Sequence, residues 1–280
     1  MKKPKLGQHF LVDEAAQQAI VDALGNVSAR TVIEIGAGHG AITSLLAMRC
    51  RRLIALEIDP PLAAEMRFRF RDKPQVEIVE ADVLEVDMAA LIQPDESADV
   101  VGNLPYYITS PILMLLFAAG ARGLLARAVL MMQREVADRL SAAPGCRDYG
   151  LLSATTQIYA RVETLFHLPP AAFAPPPQVS SSVLRLEFAP RFVELGVDPA
   201  GFDAFLRTCF AQKRKTLANN LRSAGAAGGR SYTSARGYTS DELRAAWPAE
   251  IPPLARAESL ALEPLAALYR ALMHIRQNAE

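Results

Sequence analysis

The stretch TVIEIGAGHG, residues Thr31 to Gly40, decides the fold class of this 280-residue chain. Its first half is apolar and β-prone, its second half is rich in glycine, and the segment Ala41 to Ala47 that follows has helical apolar spacing. A buried strand, a glycine loop and a helix in this order are typical of an open α/β sheet that binds a ligand at the loop. The stretch therefore predicts an α/β fold with a doubly wound sheet.

The residues beyond this stretch repeat the alternation of strands and helices. Further strands are predicted at short apolar runs, namely Leu53 to Leu56, Val76 to Val79, Ala98 to Val101 and Ala128 to Met132. Helical segments separate these runs. Two later runs, Val162 to Leu168 and Val183 to Phe188, have little helix between them and predict an antiparallel edge pair. We therefore expect a Rossmann-like, mostly parallel sheet with helices on both faces.

The character of the sequence changes near Pro190. Beyond it only helical spacing is found, with a helix opened by Asp198-Pro199 and a capping box at Thr239 and Glu242. The glycine-, serine- and arginine-rich segment Gly225 to Gly237 is interpreted as a mobile loop. We predict two domains, a ligand-binding domain at residues 1–189 and a small all-helical domain at residues 190–280.

The charges cancel in total but are unevenly distributed. The 30 basic and 30 acidic side chains give a formal net charge of zero, which argues mildly against a nucleic-acid partner. However, Ala204 to Ser240 contains no Asp or Glu and carries several Arg and Lys residues, and Lys2, Lys3 and Lys5 form a second basic cluster. This segregation favours a protein with one basic face.

Composition also bears on the compartment and on metals. Apolar residues make up 51% of the chain, as in a globular protein. Cys50, Cys146 and Cys209 are far apart and have no metal-ligand spacing, so they are interpreted as reduced thiols and no metal is expected. The longest uncharged run, Val100 to Ala121, contains Asn103 and two prolines and is interpreted as core. We expect a cytoplasmic protein with no membrane span.

The tetrapeptide Asn103-Leu104-Pro105-Tyr106 follows the apolar run that ends at Val101. It offers a side-chain amide, backbone carbonyls in a segment stiffened by proline, and an aromatic face. Acceptors placed on the two hydrogens of a flat amine, such as the exocyclic amino group of adenine, would make its delocalised lone pair available without a strong base. An ordinary strand-to-helix turn is the alternative interpretation.

Acidic residues at strand ends bear on which ligand the glycine loop binds. A dinucleotide would suit the loop, because an acid, Glu57, lies about twenty residues further on. S-adenosylmethionine is the competing ligand. Glu34, Glu57, Asp59 and Asp82 all fall at strand ends on the expected ligand side. A crevice lined by carboxylates attracts a sulfonium and repels a pyrophosphate, so the methyl donor is favoured.

Several motifs recur in the order of a known family. They are Gly7 to Leu11, Glu34 to Gly38, Glu57 to Asp59, Ala81-Asp82, Asn103 to Tyr106, Gln133 to Val136, Phe173 to Ser181 and Gln212 to Leu217. In these motifs the chain resembles the ribosomal small-subunit RNA adenine dimethyltransferases over nearly its whole length. The resemblance implies dimethylation of two adjacent adenosines near the 3' end of small-subunit rRNA during ribosome biogenesis. It also implies a monomer that acts on this RNA or on the immature small subunit.

The resemblance assigns roles to individual residues. It implies that S-adenosylmethionine is held by Gln8, His9, Leu11, Gly36, Gly38, Glu57, Ile58, Asp82, Val83 and Asn103. It implies that the transfer is carried by Asn103, Leu104, Pro105 and Tyr106. RNA would be held by Lys213, Arg214, Lys215 and Arg222, although a charge run is usually a solvated helix face. The family often has Asn where this chain has His9, so the role of His9 is the least secure.

Phe173 is expected to complete the base site. Extruding an adenine from an RNA helix costs on the order of a few kcal/mol, and one aromatic face returns roughly 1–3 kcal/mol per base. A sandwich between Tyr106 and Phe173 would therefore offset most of the cost. A core position beside the three prolines Pro175 to Pro177 is the alternative for Phe173.

Three other functions fit parts of the sequence. A DNA adenine methyltransferase shares the chemistry, but the segments Phe173 to Ser181 and Gln212 to Leu217 favour the ribosomal substrate. A non-catalytic ribosome-assembly or RNA-binding factor could keep the fold, but the complete tetrapeptide argues against it. A nicotinamide oxidoreductase lacks a catalytic set to accompany the glycine loop.

Overall fold

The computed structural model describes residues 9–223 and 237–278, which form two compact units. The first unit comprises the described residues up to Ala137 together with Ala160–Ala189, and the second comprises Asp138–Tyr159 and the described residues from Pro190 onward. Gln8, the lysines near the N-terminus and nearly all of the loop segment Gly225 to Gly237 lie outside the described residues. No helix within the described ranges is long and apolar enough to cross a membrane.

The first unit is built on a seven-stranded sheet. The strands are β1 Phe10–Leu11, β2 Thr31–Ile35, β3 Arg52–Glu57, β4 Val76–Glu80, β5 Ala98–Asn103, β6 Leu125–Gln133, β7 Ala160–Leu168, β8 Phe173–Ala174 and β9 Ser181–Phe188. The large sheet has the order β4-β3-β2-β5-β6-β9-β7, and β1 pairs separately with β8. The five strands β2 to β6 run parallel to one another, whereas β9 is antiparallel to both β6 and β7. The predicted sheet and its antiparallel edge are confirmed.

Several of the helices begin at a capping residue that the sequence supplies. They are α1 Glu14–Ala23, α2 Ala41–Leu46, α3 Pro60–Arg69, α4 Met88–Leu91, α5 Thr109–Ala121, α6 Arg134–Ser141, α7 Leu151–Tyr159, α8 Phe192–Leu195, α9 Pro199–Cys209, α10 Leu217–Arg222, α11 Ser240–Ala246 and α12 Leu262–Gln277. The carboxylate of Asp13 accepts the Ala16 amide at 3.0 Å, and Asp198 caps α9 in the same way. The predicted capping box of Thr239 and Glu242 is present at α11.

The centre of the sheet positions the ligand crevice. All five residues of β2 are buried, as expected for a parallel strand covered on both faces. The chain order reverses between β2 and β5, which are direct neighbours in the sheet. Ligands of open α/β sheets bind outside the carboxyl ends of the strands at such a reversal. The glycine loop after β2 and Asn103 at the end of β5 both lie there.

In the second unit, the regular secondary structure of the described residues is all helical, with turns and loops between the helices. Its core includes the mutually packed rings of Phe202, Phe205 and Tyr269. The unit also takes in α7, which belongs to the first domain in the sequence-based division. The reason is local contact, because the hydroxyl of Tyr159 donates to Asp203 at 2.6 Å and the Ile158 carbonyl accepts the Arg191 amide at 2.9 Å.

Candidate active site

Two cavities adjoin the carboxyl ends of β2 and β5. The first is lined by His9, Phe10, Gly36, Gly38, Glu57, Ile58 and Asn103 to Tyr107. The second, of about 350 Å³, is lined by His9 to Val12, Glu14, Gln17, Glu34, Gly36 to His39, Ala41, Ile42, Gly102 and Asn103. Because His9, Phe10, Gly36, Gly38 and Asn103 line both cavities, the two are adjacent, and we refer to them together as the crevice. Most residues predicted for the cofactor and for the transfer line it.

Glu57 fixes the glycine loop. Its side chain is 3% exposed, and its two carboxylate oxygens accept the amides of Gly38 at 2.8 Å and Asp59 at 2.9 Å. Gly38 has φ +54°, and a Cβ there would lie 3.0 Å from the Phe10 ring, so a glycine is needed. A carboxylate has about four lone-pair sites, so Glu57 can still accept hydrogen bonds from a ligand's hydroxyl groups.

Glu34 is an acid of the crevice whose pKa is strongly shifted. It is 3% exposed, and the Thr43 hydroxyl donates to its Oε2 at 2.6 Å. Burial raises the pKa of Glu34 to about 8, and the nearby charge of Glu57 adds to the effect. At pH 7 Glu34 is therefore mostly protonated, and the crevice holds less negative charge than the sequence predicts. A cation bound in the crevice would favour the ionised form of Glu34.

Asp82 and Val83 lie in the turn that follows β4. Asp82 follows β4 and accepts the Leu84 amide at 2.9 Å, which makes it the cap of a short 3₁₀ turn, and Val83 is buried. Neither residue lines the two cavities. Their cofactor-binding roles remain predictions. Ile58, by contrast, is 43% exposed and lines the first cavity.

Hydrogen bonds made by Asn103, Leu104 and Pro105 hold the loop after β5 in place. The Asn103 Nδ2 donates to the His9 carbonyl at 2.9 Å, and the Leu104 amide donates to the Met131 carbonyl at 2.9 Å. The Pro105 carbonyl accepts the Ile108 amide and the Thr109 hydroxyl at 3.1 and 3.0 Å. Since the Asn103 Nδ2 donates to His9, the Oδ1 is the atom of this amide that can accept a hydrogen bond from a ligand.

Tyr106 has one contact at its hydroxyl group and one at the face of its ring. The hydroxyl shares a hydrogen bond of 3.0 Å with the Ser181 Oγ, and the ring is stacked on the His9 ring with a centroid distance of 6.0 Å and an interplanar angle of 28°. Ser181 is fully buried at the start of β9. Neither contact was predicted, although Ser181 ends the family motif quoted above.

The structure buries Phe173, and its role in stacking on the target base remains a prediction. The ring is 3% exposed and packs in a core cluster that includes Leu11, Ile20 and Val183. The cause is the pairing of β1 with β8, which sets Leu11 opposite Phe173 and closes the N-terminal strand over it. The core alternative therefore describes Phe173 better than a free stacking face does.

The N-terminal strand crosses the glycine loop. The Phe10 ring lies 4.6 Å from the His39 ring between centroids, and the Gln17 side chain donates to the Leu11 carbonyl at 2.9 Å. The Val12 amide donates to the Ala172 carbonyl at 2.9 Å. His9 and Leu11 both line the second cavity, although Leu11 is mostly buried, and their contact with a bound cofactor remains a prediction.

The predicted RNA-contacting residues lie in the second unit. Lys213, Arg214 and Lys215 are exposed on the turn between α9 and α10, not on a helix face, and Arg222 is exposed at the end of α10. The Lys213 ammonium donates to the Arg147 carbonyl at 3.1 Å. These residues present cationic groups to solvent, and their role in binding RNA remains a prediction.

Comparisons of sequence agree with the resemblance. The family model of ribosomal RNA adenine dimethylase matches residues 1–245. A ribosomal RNA small subunit methyltransferase A of Acidobacterium capsulatum is 56% identical over 271 residues, which cover 96% of this chain and 91% of the relative. The protein of the same name from Koribacter versatilis is 50% identical over 284 residues, covering 97% and 94%. The predicted family is confirmed.

Comparisons of structure agree on the fold. A dimethyladenosine transferase from Plasmodium falciparum superposes with a TM-score of 0.75 at 23% identity, covering 97% of this chain and 98% of the other. The 23S rRNA methyltransferase ErmE superposes with a TM-score of 0.66 at 24% identity, covering 94% and 99%. Both similarities extend over both compact units of the chain.

Proposed function

The chain belongs to the ribosomal RNA adenine dimethylase family, and we propose that it transfers methyl groups from S-adenosylmethionine to the exocyclic amino group of adenosines in small-subunit rRNA. The observation that carries the proposal is the orientation of the Asn103 amide, whose Nδ2 is bound to the His9 carbonyl. This hydrogen bond leaves the Asn103 Oδ1 as an acceptor, and Asn103 lines the same cavity as Gly36, Gly38 and Glu57, which supports the proposal.

The crevice suits a cationic methyl donor. Glu57 can accept bonds from ribose hydroxyls, and Glu34 is a buried carboxyl whose ionisation a cation would stabilise. His9, Leu11, Gly36, Gly38 and Ile58 would enclose the cofactor, and Asp82 and Val83 would hold its adenine. When bound, S-adenosylmethionine supplies an electrophilic methyl group on a sulfonium centre.

The residues after β5 would activate the target amine. The Asn103 Oδ1 and the Leu104 carbonyl would accept its two hydrogens, which makes the lone pair available for in-line attack. The Pro105 carbonyl already accepts two hydrogen bonds and fixes the loop. Much of the rate would come from holding two bound reactants in the attacking geometry. The proton released after transfer would pass to a carbonyl or to water.

The substrate is proposed to be two adjacent adenosines near the 3' end of small-subunit rRNA, in the RNA or in the immature particle. Lys213, Arg214, Lys215 and Arg222 would hold its phosphates, because cationic groups supply most of the affinity for RNA. The division into a methyltransferase domain and a helical RNA-binding domain is part of this proposal. So are a monomeric state and action in the cytoplasm, where bacterial ribosomes are assembled.

The experiment is a transfer assay with methyl-labelled S-adenosylmethionine and three substrates: unmodified small-subunit particles, the naked RNA and adenine-containing duplex DNA. Digestion to nucleosides should yield N6,N6-dimethyladenosine from the ribosomal substrates. Label in DNA alone would replace the proposal with a DNA methyltransferase. Binding to particles without transfer would replace it with a non-catalytic assembly factor.

A further inference from the structure

The helical unit contains a pocket that the proposed transfer reaction does not use. Its volume is about 320 Å³, and it is lined by Ala218, Arg222, Ser240, Leu243, Arg244, Trp247 and Pro253. These residues come from α10, from α11 and from the segment after α11, so all of them belong to the second unit. Trp247 and Pro253 lie beyond residue 245, where the match to the family model ends. The family resemblance therefore assigns no role to them.

Trp247 gives the pocket an aromatic wall with a fixed orientation. The indole Nε1 donates to the Ile251 carbonyl at 2.9 Å, so the polar atom of the ring is satisfied within the protein. The side chain is half-buried and lines the pocket. What Trp247 offers a ligand is therefore the flat apolar surface of its ring, held in position before the ligand arrives.

Two guanidinium groups accompany this ring. Arg222 and Arg244 are both exposed, and Arg222 donates to the Asn219 side-chain oxygen. Arg244 pairs with Asp241 at 3.4 Å, but both side chains are at least four-fifths exposed, so the pair contributes little and an anionic ligand can replace it. Among the described residues that line the pocket, none carries a carboxylate. The pocket therefore suits a ligand that is flat at one end and anionic at the other.

The size and the position of the pocket favour a nucleotide. The volume is at the lower end of the range of about 300–1,000 Å³ that is typical of small-ligand sites. The helix α10, which contributes Ala218 and Arg222, begins just after the basic turn Lys213 to Lys215, and its six residues span about 9 Å. A single RNA strand held at the turn could therefore reach the pocket within a few nucleotides. An acidic peptide would use the cationic groups but has no need of a flat aromatic wall.

We propose that this pocket binds one unpaired nucleotide of the RNA, whose base stacks on Trp247 and whose phosphate pairs with Arg222 and Arg244. Stacking on an aromatic side chain accepts any base, because every base has a π face. The pocket would therefore anchor a single-stranded stretch without reading its sequence. The inference rests on the proposed function for the identity of the RNA, and it concerns where the RNA is anchored and not the transfer step.

The test uses the fluorescence of Trp247, which is the single tryptophan of the chain. The full-length protein is titrated with hexauridylate, with hexa-adenylate and with an abasic ribose-phosphate oligomer of the same length. We expect both base-containing oligomers to quench the indole fluorescence, because a stacked base contacts the ring directly. The abasic oligomer, and a hexaglutamate peptide as an acidic control, should leave the fluorescence nearly unchanged.

Variants measure what each part of the pocket contributes, with fluorescence anisotropy of end-labelled oligomers as the readout. Trp247→Leu should weaken binding of the base-containing oligomers about tenfold, the size expected for loss of one stacked base, and should leave the abasic oligomer unaffected. Trp247→Phe keeps an aromatic face and should retain most of the affinity. Thermal unfolding checks that each variant is folded, and the titration of the wild type needs no variant.

Arg244→Gln tests the phosphate contact separately. It should weaken binding of the base-containing and abasic oligomers alike and reduce the log–log salt dependence by about 0.7. Arg122→Gln, at an exposed arginine directly after α5, is the matched control and should change neither quantity.

An indole fluorescence that stays constant while the base-containing oligomers are bound at saturation would overturn the inference. So would equal quenching by hexaglutamate, or equal losses on base-containing and abasic oligomers in Trp247→Leu. The proposed function fails by a different result, namely the absence of methyl transfer by the wild type, which does not alter the quenching expected here.

Discussion

The loop Asn103 to Tyr106 and the basic turn Lys213 to Lys215 are both assigned to the RNA substrate, but they are built differently. In the loop, the Asn103 amide, the backbone and the tyrosine hydroxyl each have a hydrogen-bond partner. In the turn, the charged groups are exposed, and the Lys213 ammonium donates to the Arg147 backbone carbonyl. Groups that contact a reacting atom must be fixed in position before the substrate binds. Contacts to phosphates require only a cationic side chain that can extend to the RNA backbone.

The largest effect should follow a change at Asn103. Asn103→Ala removes the acceptor proposed for the amine, and loss of one such preorganised group costs about 10²–10³-fold in rate. Cofactor affinity should fall far less than the rate does, because Asn103 is one of several residues proposed to hold the cofactor and Glu57 and the glycine loop are untouched. Single-turnover methyl transfer and calorimetric binding of S-adenosylhomocysteine measure the two effects. Retained turnover would show that the loop is an ordinary turn.

A pH effect should come from Glu34. With its pKa raised to about 8 in the free protein, Glu34 must release a proton when a cation binds beside it. Affinity for S-adenosylmethionine should therefore rise with pH up to about 8, by at most about tenfold per pH unit, and level off above. Stability of the free protein should run the other way, falling between about pH 4.5 and 8, because the folded state holds the proton more tightly.

Glu34→Gln is the control for this pH effect. It should bind the cofactor with an affinity nearly independent of pH between 6 and 8, while the circular dichroism spectrum stays that of the wild type. A pH dependence that persists in Glu34→Gln would place the proton on another group.

A smaller effect should follow a change at Ser181. Ser181→Ala removes the hydrogen bond to the Tyr106 hydroxyl, and a bond of this kind contributes about 1 kcal/mol, or about fivefold. The loss should appear in kcat/KM for RNA and not in cofactor affinity. Tyr106→Phe should cost a similar factor, and the double variant should cost no more than either single one.

Ser182→Ala is the matched control for Ser181. Ser182 is equally buried, but its Oγ is bound to His167 Nδ1 at 2.8 Å and not to Tyr106. It should therefore leave turnover of RNA unchanged. A loss in Ser182→Ala equal to that in Ser181→Ala would attribute both to general disturbance of β9.

The smallest effect should follow loss of single charges in the basic turn. Lys213→Ala and Lys215→Ala should each reduce the log–log salt dependence of RNA affinity by about 0.7. Lys73→Ala, an exposed lysine after α3, serves as the control and should leave the slope unchanged. Unchanged slopes in the turn variants would remove Lys213 and Lys215 from the RNA interface.

Sequence analysis predicted the features that show a repeating pattern or that depend on residues close together in the chain. The strands around TVIEIGAGHG were found because apolar runs alternate with helices, and the caps at Asp198 and Thr239 because their partners lie three residues away. The helix α7 was not singled out, since it runs directly into β7 and has no boundary residue between them. The other features that sequence analysis missed depend on contacts between residues far apart in the chain.

The base site shows why long-range pairing is hard to predict. β1 and β8 have two residues each, too few for any periodicity, yet their pairing buries Phe173 and brings His9 to Tyr106. The contact between His9 and Asn103 spans 94 positions in sequence and uses a backbone carbonyl, which no side-chain pattern reports. The burial that raises the pKa of Glu34 likewise depends on the packed sheet.

The most direct test of the account is a crystal structure with S-adenosylhomocysteine and an RNA hairpin that carries the target adenosines. We predict the adenine amino nitrogen within about 2.7–3.2 Å of the Asn103 Oδ1, while Nδ2 keeps its bond to the His9 carbonyl. An adenine bound away from Asn103, or an amide whose Nδ2 faces the base, would contradict the central claim.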